Sequence, residues 1–247
     1  FVVIAGTQGA RNHYKQDRMF ELALRFRMPI VLFGEGGGGR PGDDSTGPAV
    51  AFDTHTFTQF SKLSGAVPMV GVNHGRCFAG NTALLACCDV IIATKDSTIA
   101  MGGPAMIEGG GLGIYTPEEV GPMSFQVPNG VVDILVEDEA EAVQVAKQYL
   151  SYFQGSTDSW EAPDQRKLRH IVPENRLRLY DMREIIATLA DKDSVLEIRA
   201  GFGVGVITCF IRVEGRPMGV IANNPHHLAG AIDSDAADKG TRFIQLC

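Results

Sequence analysis

Residues 70–94, VGVNHGRCFAGNTALLACCDVIIAT, constrain this chain more than any other stretch. An apolar run, a glycine turn, a short helix-forming segment and a second apolar run follow one another. Continuous apolar runs of strand length belong to strands covered on both faces. In the middle, Gly75-Arg76-Cys77-Phe78-Ala79-Gly80-Asn81 places small residues where a helix begins. The first N–H groups of a helix have no intrahelical partner and carry a partial positive charge. Small side chains leave such groups open to a ligand oxygen. These residues alone leave two readings open: an oxyanion-binding turn, or small residues that let helix and sheet pack closely.

The rest of the chain repeats this alternation. Residues 2–5 predict a strand, and 17–27 a helix with Met19, Leu22, Ala23 and Phe26 as its apolar stripe. Residues 29–33 predict a doubly covered strand. The Gly34–Arg40 segment that follows matches GxGxxG, but Arg40-Pro41-Gly42-Asp43-Asp44 does not open a helix on which a pyrophosphate could rest. It reads instead as a loop with bare amides, and 108–113 reads as another. Further helices are predicted at 54–64, with Thr54 as N-cap, at 138–153 and at 181–190. Strands are predicted at 68–72, 98–101, 131–136, 195–199, 204–213 and 218–222, with a hairpin turn at 214–217. Residues 154–167 have the composition of a linker. The order up to residue 153 predicts an α/β fold with largely parallel sheet. There is also an internal echo: residues 3–6 resemble 220–223, and 15–20 (KQDRMF) resemble 239–244 (KGTRFI), which suggests a two-copy repeat.

Composition narrows the function classes. A net charge of −7 without a basic block argues against nucleic acid as a partner. No apolar run reaches membrane-spanning length, and the first residues lack the features of a secretory signal. The five cysteines, Cys77, Cys87, Cys88, Cys209 and Cys247, include no CxxC pair and fit a reducing, cytoplasmic setting. The chain opens on a strand-like run and stops inside a helix-like one, so it is expected to be a piece of a longer protein.

The sequence lacks a P-loop, a GxSxG elbow and HExxH. His226-His227 read as a solvated loop, and Asp233, Asp235 and Asp238 as a capped helix start rather than a cation loop. Cys77 reads as a packed small hydrophobe. What remains is a pair of bare loops, each after a strand: residues 36–39 and 79–80. Two backbone N–H donors can hold one developing oxyanion, such as the enolate of a thioester that loses its α-proton.

FAGNTALLACCDVIIAT resembles the helix-start motif of the crotonase (ClpP-like) superfamily. Within it, the chain is most similar to the carboxyltransferase β subunits of biotin-dependent acyl-CoA carboxylases. Ala5-Gly6-Thr7-Gln8-Gly9 with Lys15, residues 35–40, residues 75–80, and residues 180–185 with 219–225 carry the resemblance in family order. It implies a spiral of ββα units: the later part of an N domain over 1–165 and the start of a similar C domain over 166–247. It implies acyl-CoA on the N domain, and carboxybiotin approaching from a partner subunit's C domain on a separate carrier. The acyl-CoA enolate attacks the released CO2, and biotin takes the α-proton. Ala79 and Gly80 would supply the backbone oxyanion donors, with Gly37, Gly38, Arg40, Lys15 and Phe78 as substrate-binding candidates.

The same resemblance implies coenzyme A as part of a short-chain substrate, biotin carboxyl carrier and biotin carboxylase as partners, a homo-oligomer, and no metal on this chain. Related hydratases carry a catalytic Glu where this chain has Ala83, so water addition lacks its acid/base group. A carboxyltransferase does not need that group, because the cofactor carries the proton chemistry. The alternatives are a non-catalytic acyl-CoA-binding or assembly subunit, or another crotonase-type enzyme such as a decarboxylase or isomerase.

Overall fold

The two apolar runs that frame residues 70–94 lie side by side as parallel strands. A computed structural model describes residues 3–40, 55–175 and 177–247. They form two compact units, Phe1–Gln126 with Leu135–Ala146, and Val127–Ile134 with Lys147–Cys247. The first unit runs α1 (Ala10–Phe26), β1 (Ile30–Phe33), α2 (Thr56–Ser61), β2 (Met69–Asn73), β3 (Arg76–Phe78), α3 (Gly80–Ala86) and β4 (Val90–Thr94). It continues through β5 (Thr98–Ala100), α4 (Pro104–Gly109) and α5 (Met123–Gln126). Next come β6 (Ile134–Val136) and α6 (Glu139–Ser151). The second unit adds α7 (Leu168–Ile171), α8 (Met182–Leu189), β7 (Leu196–Ile198), β8 (Val206–Val213), β9 (Arg216–Asn223) and α9 (Ser234–Leu246).

A sheet of order β1-β2-β4-β6 organises the first unit, with Ile30 opposite Met69 and Val70 opposite Val90 in parallel register. Every residue of β2 and β4 is buried, as their unbroken apolar runs require of central parallel strands. The expectation of a doubly covered β1 is corrected: it is an edge strand that alternates, with Val31 and Phe33 exposed. α3 packs closely on the sheet because β2 carries Gly71, where a Cβ would stand 2.5 Å from Leu85 Cδ1. Asp89, at the turn into β4, accepts a hydrogen bond from the Met69 amide at 2.9 Å and so ties that turn to the start of β2. Phe20 and Ala23 of α1, Phe60 of α2, and Leu63, Met69, Leu84 and Cys88 close the core beside the sheet. Phe20 and Phe60 rings meet at 4.6 Å.

Several local expectations shift. Residues 3–6 are not a strand: Ile4–Gly6 form a 3₁₀ turn with Ala5 at φ 53°, ψ 29°. The backbone of this segment bonds to the glycine loop instead of a sheet, Gly37 N–H donating to the Ala5 oxygen and Gln8 N–H to the Gly38 oxygen. α1 begins at Ala10, well before the predicted 17, and its buried face is Phe20 and Ala23, while Met19 and Phe26 are exposed. α2 starts at Thr56 after His55, and the predicted cap Thr54 lies outside the described residues. The predicted bare loop at 108–113 begins inside α4, which Pro104 opens at its first position.

The second unit holds an antiparallel sheet, β7-β8-β9, with the expected hairpin between β8 and β9. Glu214 and Gly215 both have positive φ, the signature of the tight turn that joins β8 to β9. Ile186 of α8 packs on Ile207, Cys209 and Ile211 of β8. On the opposite face Phe210 gathers the rings of Tyr149, Tyr152, Phe153 and Phe243. Asp233 caps α9 by accepting from the Ala236 amide, the expected capped start, and its other oxygen pairs with His227 Nε2 at 2.8 Å.

The echo between the chain's ends is re-registered. Residues 220–223 are extended in β9. The turn that matches Ile4–Gly6 is Leu228–Gly230, where Ala229 has φ 54°, ψ 32°. Each such turn precedes a helix, α1 or α9, and those helices carry the matching KQDRMF and KGTRFI.

Candidate functional site

β2 ends at Asn73, and the chain turns through Gly75 into β3, which pairs with β5. Thr82 holds this turn: its Oγ1 lies within hydrogen-bond reach of the Cys77 and Ala100 carbonyl oxygens, at 2.8 and 3.0 Å, and its one proton goes to one or the other. Between β3 and α3, Ala79 takes φ 53° and ψ −126°, a backbone conformation suited to glycine. Its N–H is already committed to the Ala100 oxygen at 3.2 Å. Gly80, the first residue of α3, has no such partner among the described residues. The expectation of two donors in this turn therefore narrows to Gly80.

The glycine loop packs directly against this turn. A single backbone bridge joins Gly36 to Cys77, and Asn81 Nδ2 donates to the Glu35 oxygen at 2.6 Å. Gly38 has φ +87°, and a Cβ there would stand 2.6 Å from Ala79 Cβ and 3.1 Å from Gly80 N. The loop is not uniformly bare: Gly36 and Gly37 donate to Arg76 and Ala5 oxygens, both at 2.8 Å, because neighbouring chain segments supply acceptors there. Gly38 and Gly39 keep their amides free of such partners among the described residues.

A cavity of about 560 Å³ opens onto these amides. The start of α1 contributes Gln8, Gly9, Ala10 and His13 to its wall; the glycine loop adds Gly38, Gly39 and Arg40. Ala79, Gly80 and Asn81 line it from the α3 turn, Phe57 from α2, and Met101 and Met106 from around α4. Its size falls within the range of small-molecule sites. The Cβ position of Gly80 faces Phe57, 3.3 Å from Cζ, whereas close helix–sheet packing falls to Gly71. The small residue at 80 thus serves the cavity wall, and the two readings of the turn separate onto different glycines.

Of the residues singled out from sequence, Ala79, Gly80, Gly38 and Arg40 meet at this wall. The other three do not. Gly37 stands behind the loop with its amide bonded to Ala5, and Lys15 lies on an exposed flank of α1. Phe78 is buried, packed beside Gly103. Arg40 donates through its terminal nitrogen to the Thr7 oxygen at 2.7 Å, which fixes its guanidinium at the loop's end. Cys77 is fully buried, and burial pushes its thiol up to about 11, against a smaller opposing effect of the Thr82 hydrogen bond. It is a packing residue and no nucleophile.

As cavity residues, His13, Phe57, Met101 and Met106 are not legible in the sequence. α1 was read too short to include His13, and the methionines lie in a segment without periodic signal. Among the described residues, no group of three or more His, Cys, Asp or Glu side chains could hold a metal ion. None of the described helices is long and apolar enough to cross a membrane.

A carboxyl transferase domain family matches the chain across residues 1–247, and the chain belongs to that family. It resembles a single-chain, multi-domain long-chain acyl-CoA carboxylase of known structure, at 60% identity and TM-score 0.95 over 99% of this chain and 24% of that one. The 12S transcarboxylase structure with methylmalonyl-CoA bound superposes at TM-score 0.82 and 30% identity, over 98% of this chain and 49% of that one. The curated 12S subunit of methylmalonyl-CoA carboxyltransferase from Propionibacterium freudenreichii subsp. shermanii is 32% identical over all of this chain and 48% of its own length. The chain spans about half the length of the curated relatives it matches. The fold is accordingly the crotonase-like α/β fold of carboxyltransferase domains.

Proposed function

We propose that this chain is part of the carboxyltransferase component of a biotin-dependent acyl-CoA carboxylase. Residues 1–165 represent the acyl-CoA-binding N domain and 166–247 the start of the C domain. The observation that carries the reading is the Gly80 amide, free of a partner among the described residues, at the wall of a cavity that mixes polar and apolar groups. A thioester oxygen accepting from Gly80 N–H gains stabilisation as the α-proton leaves and the enolate charge develops there. The free Gly38 and Gly39 amides, in the loop against Gly80, are further donors for that pocket. Carboxybiotin, presented on a separate carrier, supplies the CO2 and takes up the proton. Ala83 on α3 offers no carboxylate for adding water, so the enolate is left for carboxylation.

The sequence suggested a short acyl chain. The 60%-identical neighbour is a long-chain acyl-CoA carboxylase, and Phe57, Met101 and Met106 give the cavity an apolar side. Both favour a long acyl chain, and methionine side chains adapt readily to such ligands. Biotin carboxylase and carboxyl-carrier components, a homo-oligomeric assembly such as the hexamer of the 12S protein, and a cytoplasmic setting belong to the same proposal.

The test is carboxyl transfer by the full-length protein from carboxylated biotin carrier to acyl-CoA. Gly80→Val puts side-chain bulk against Phe57 at the cavity wall, bars the thioester oxygen from the Gly80 amide, and should lower kcat by about a hundredfold or more, as losing an oxyanion donor does. Crotonyl-CoA hydration should stay at background. Turnover that survives the Gly80 change would sink the oxyanion assignment, and CoA binding without any carboxyl transfer would point to a non-catalytic subunit.

A further inference from the structure

One donor in the cavity wall has no acceptor among the described residues. Thr56, the first residue of α2, is fully buried, and among the described residues its hydroxyl has a single hydrogen-bond partner, His13 Nδ1 at 3.0 Å. A buried hydroxyl must place its proton on an acceptor, or it carries the cost of an unsatisfied donor. Were Nδ1 protonated, both groups would offer a hydrogen and the Thr56 proton would have nowhere to go. Nδ1 therefore accepts, and in the neutral ring the proton sits on Nε2. Burial lowers the His13 pKa from its ordinary value, outweighing the Asp17 charge one turn along α1, and so favours the neutral ring. His13 lines the cavity, and its Nε2 has no protein partner among the described residues.

The position of this donor indicates what it reads. Phe57 is the common neighbour of the two groups: its Cζ lies 3.3 Å from the Cβ position of Gly80, and its ring centroid is 6.3 Å from that of His13. A ligand that meets Gly80 with one carbonyl and runs along Phe57 comes to His13 with a later part of its chain. An acyl tail has no second carbonyl, whereas the pantetheine arm of coenzyme A carries two amides at fixed spacing from the thioester. We propose that His13 donates from Nε2 to an amide carbonyl of the pantetheine arm, with Thr56 fixing the tautomer that makes it a donor. This rests on the acyl-CoA reading above. His13 is then a positioning residue, which sets where the thioester lies against Gly80.

The full-length protein tests this through two dissociation constants, for octanoyl-CoA and for free CoA, measured by titration calorimetry, together with kcat for carboxyl transfer. His13→Asn keeps a group near Nδ1 for Thr56 and removes the cavity donor. It should weaken both ligands about fivefold, as expected for one neutral hydrogen bond, and lower saturated kcat as well, because the thioester is then held less well against Gly80. His13→Gln returns an N–H near the Nε2 position and should restore both affinities. If His13→Asn leaves both affinities unchanged, the donor is idle. If only octanoyl-CoA weakens, the donor serves the thioester end and the amide assignment is wrong. Equal damage from Gln and Asn would show that the ring acts only through packing. If the wild-type protein binds neither ligand, the acyl-CoA reading falls, and this inference with it; normal wild-type binding with an indifferent His13→Asn overturns this inference alone.

Discussion

Gly38→Ala is the sharpest single perturbation of the site. The backbone at 38 has φ +87°, where an L side chain is strained, at a cost of about 1–3 kcal/mol. The new methyl would also sit 2.6 Å from Ala79 Cβ and 3.1 Å from Gly80 N, and relieving such overpacking costs about 1–3 kcal/mol more. With the midpoints added, the loss is about 4 kcal/mol, or about 8–16 °C in Tm for a domain of this size. The neighbouring Gly39 is exposed and a Cβ there would meet nothing within 4 Å, so Gly39→Ala is the matched control and should change stability by less than about 1 kcal/mol. The assay is urea and thermal unfolding of the full-length protein, with carboxyl-transfer rates alongside. The closest clash is with the Ala79 methyl, so adding Ala79→Gly to Gly38→Ala should return the steric part of the loss but not the conformational part. Gly38→Ala and Gly39→Ala variants of equal stability would refute the packing of the two loops. A double variant no better than Gly38→Ala would refute the assignment of the clash.

Two further outcomes are expected. Ala79→Gly alone should stabilise the protein by about 1 kcal/mol, because relief of the strain at φ 53°, ψ −126° exceeds the added entropy of glycine; a lower urea midpoint would contradict this. Lys239, on α9, is 1% exposed, and its Nζ has no partner among the described residues. Burial takes its pKa down to about 8 from 10.5, against the raising charge of Glu197 and with Arg183 and Arg199 adding to the drop. The folded value lies below the unfolded one, so the penalty is absent above about 10.5, grows as pH falls towards 8, and is complete below that. Lys239→Met should therefore raise Tm most at pH 7 and progressively less towards pH 10; a gain independent of pH would refute the buried-cation account.

The strands at 69–73 and 90–94 were legible because central parallel strands need apolar residues on both faces, and the sequence supplies them without a break. β1 misled for the same reason in reverse: its run IVLF is apolar throughout, but an edge position exposes Val31 and Phe33. In α1 the stripe through Met19 and Phe26 is periodic, yet the packing against Phe60 selects Phe20 and Ala23. Periodicity measures how apolar residues recur and does not say which of two adjacent faces a neighbour will cover. The missed helix start hid His13, whose role depends on a threonine 43 residues away.

What the sequence by itself determined was the alternation of buried strands and helices, the glycine-lined turns between them, and the lack of a carboxylate at Ala83. Local propensity and hydrophobic patterning are properties of neighbours along the chain, so they can be read there. The tertiary structure alone decided which amides stay free, because a backbone N–H is consumed by whichever carbonyl folding brings to it. Ala100 takes the amide of Ala79, Ala5 takes that of Gly37, and Gly80 keeps its own. The gathering of Gln8, His13, Phe57 and Met101 around that amide is likewise a product of folding, since only the packing of α1 and α2 against the glycine loop and the α3 turn makes them neighbours.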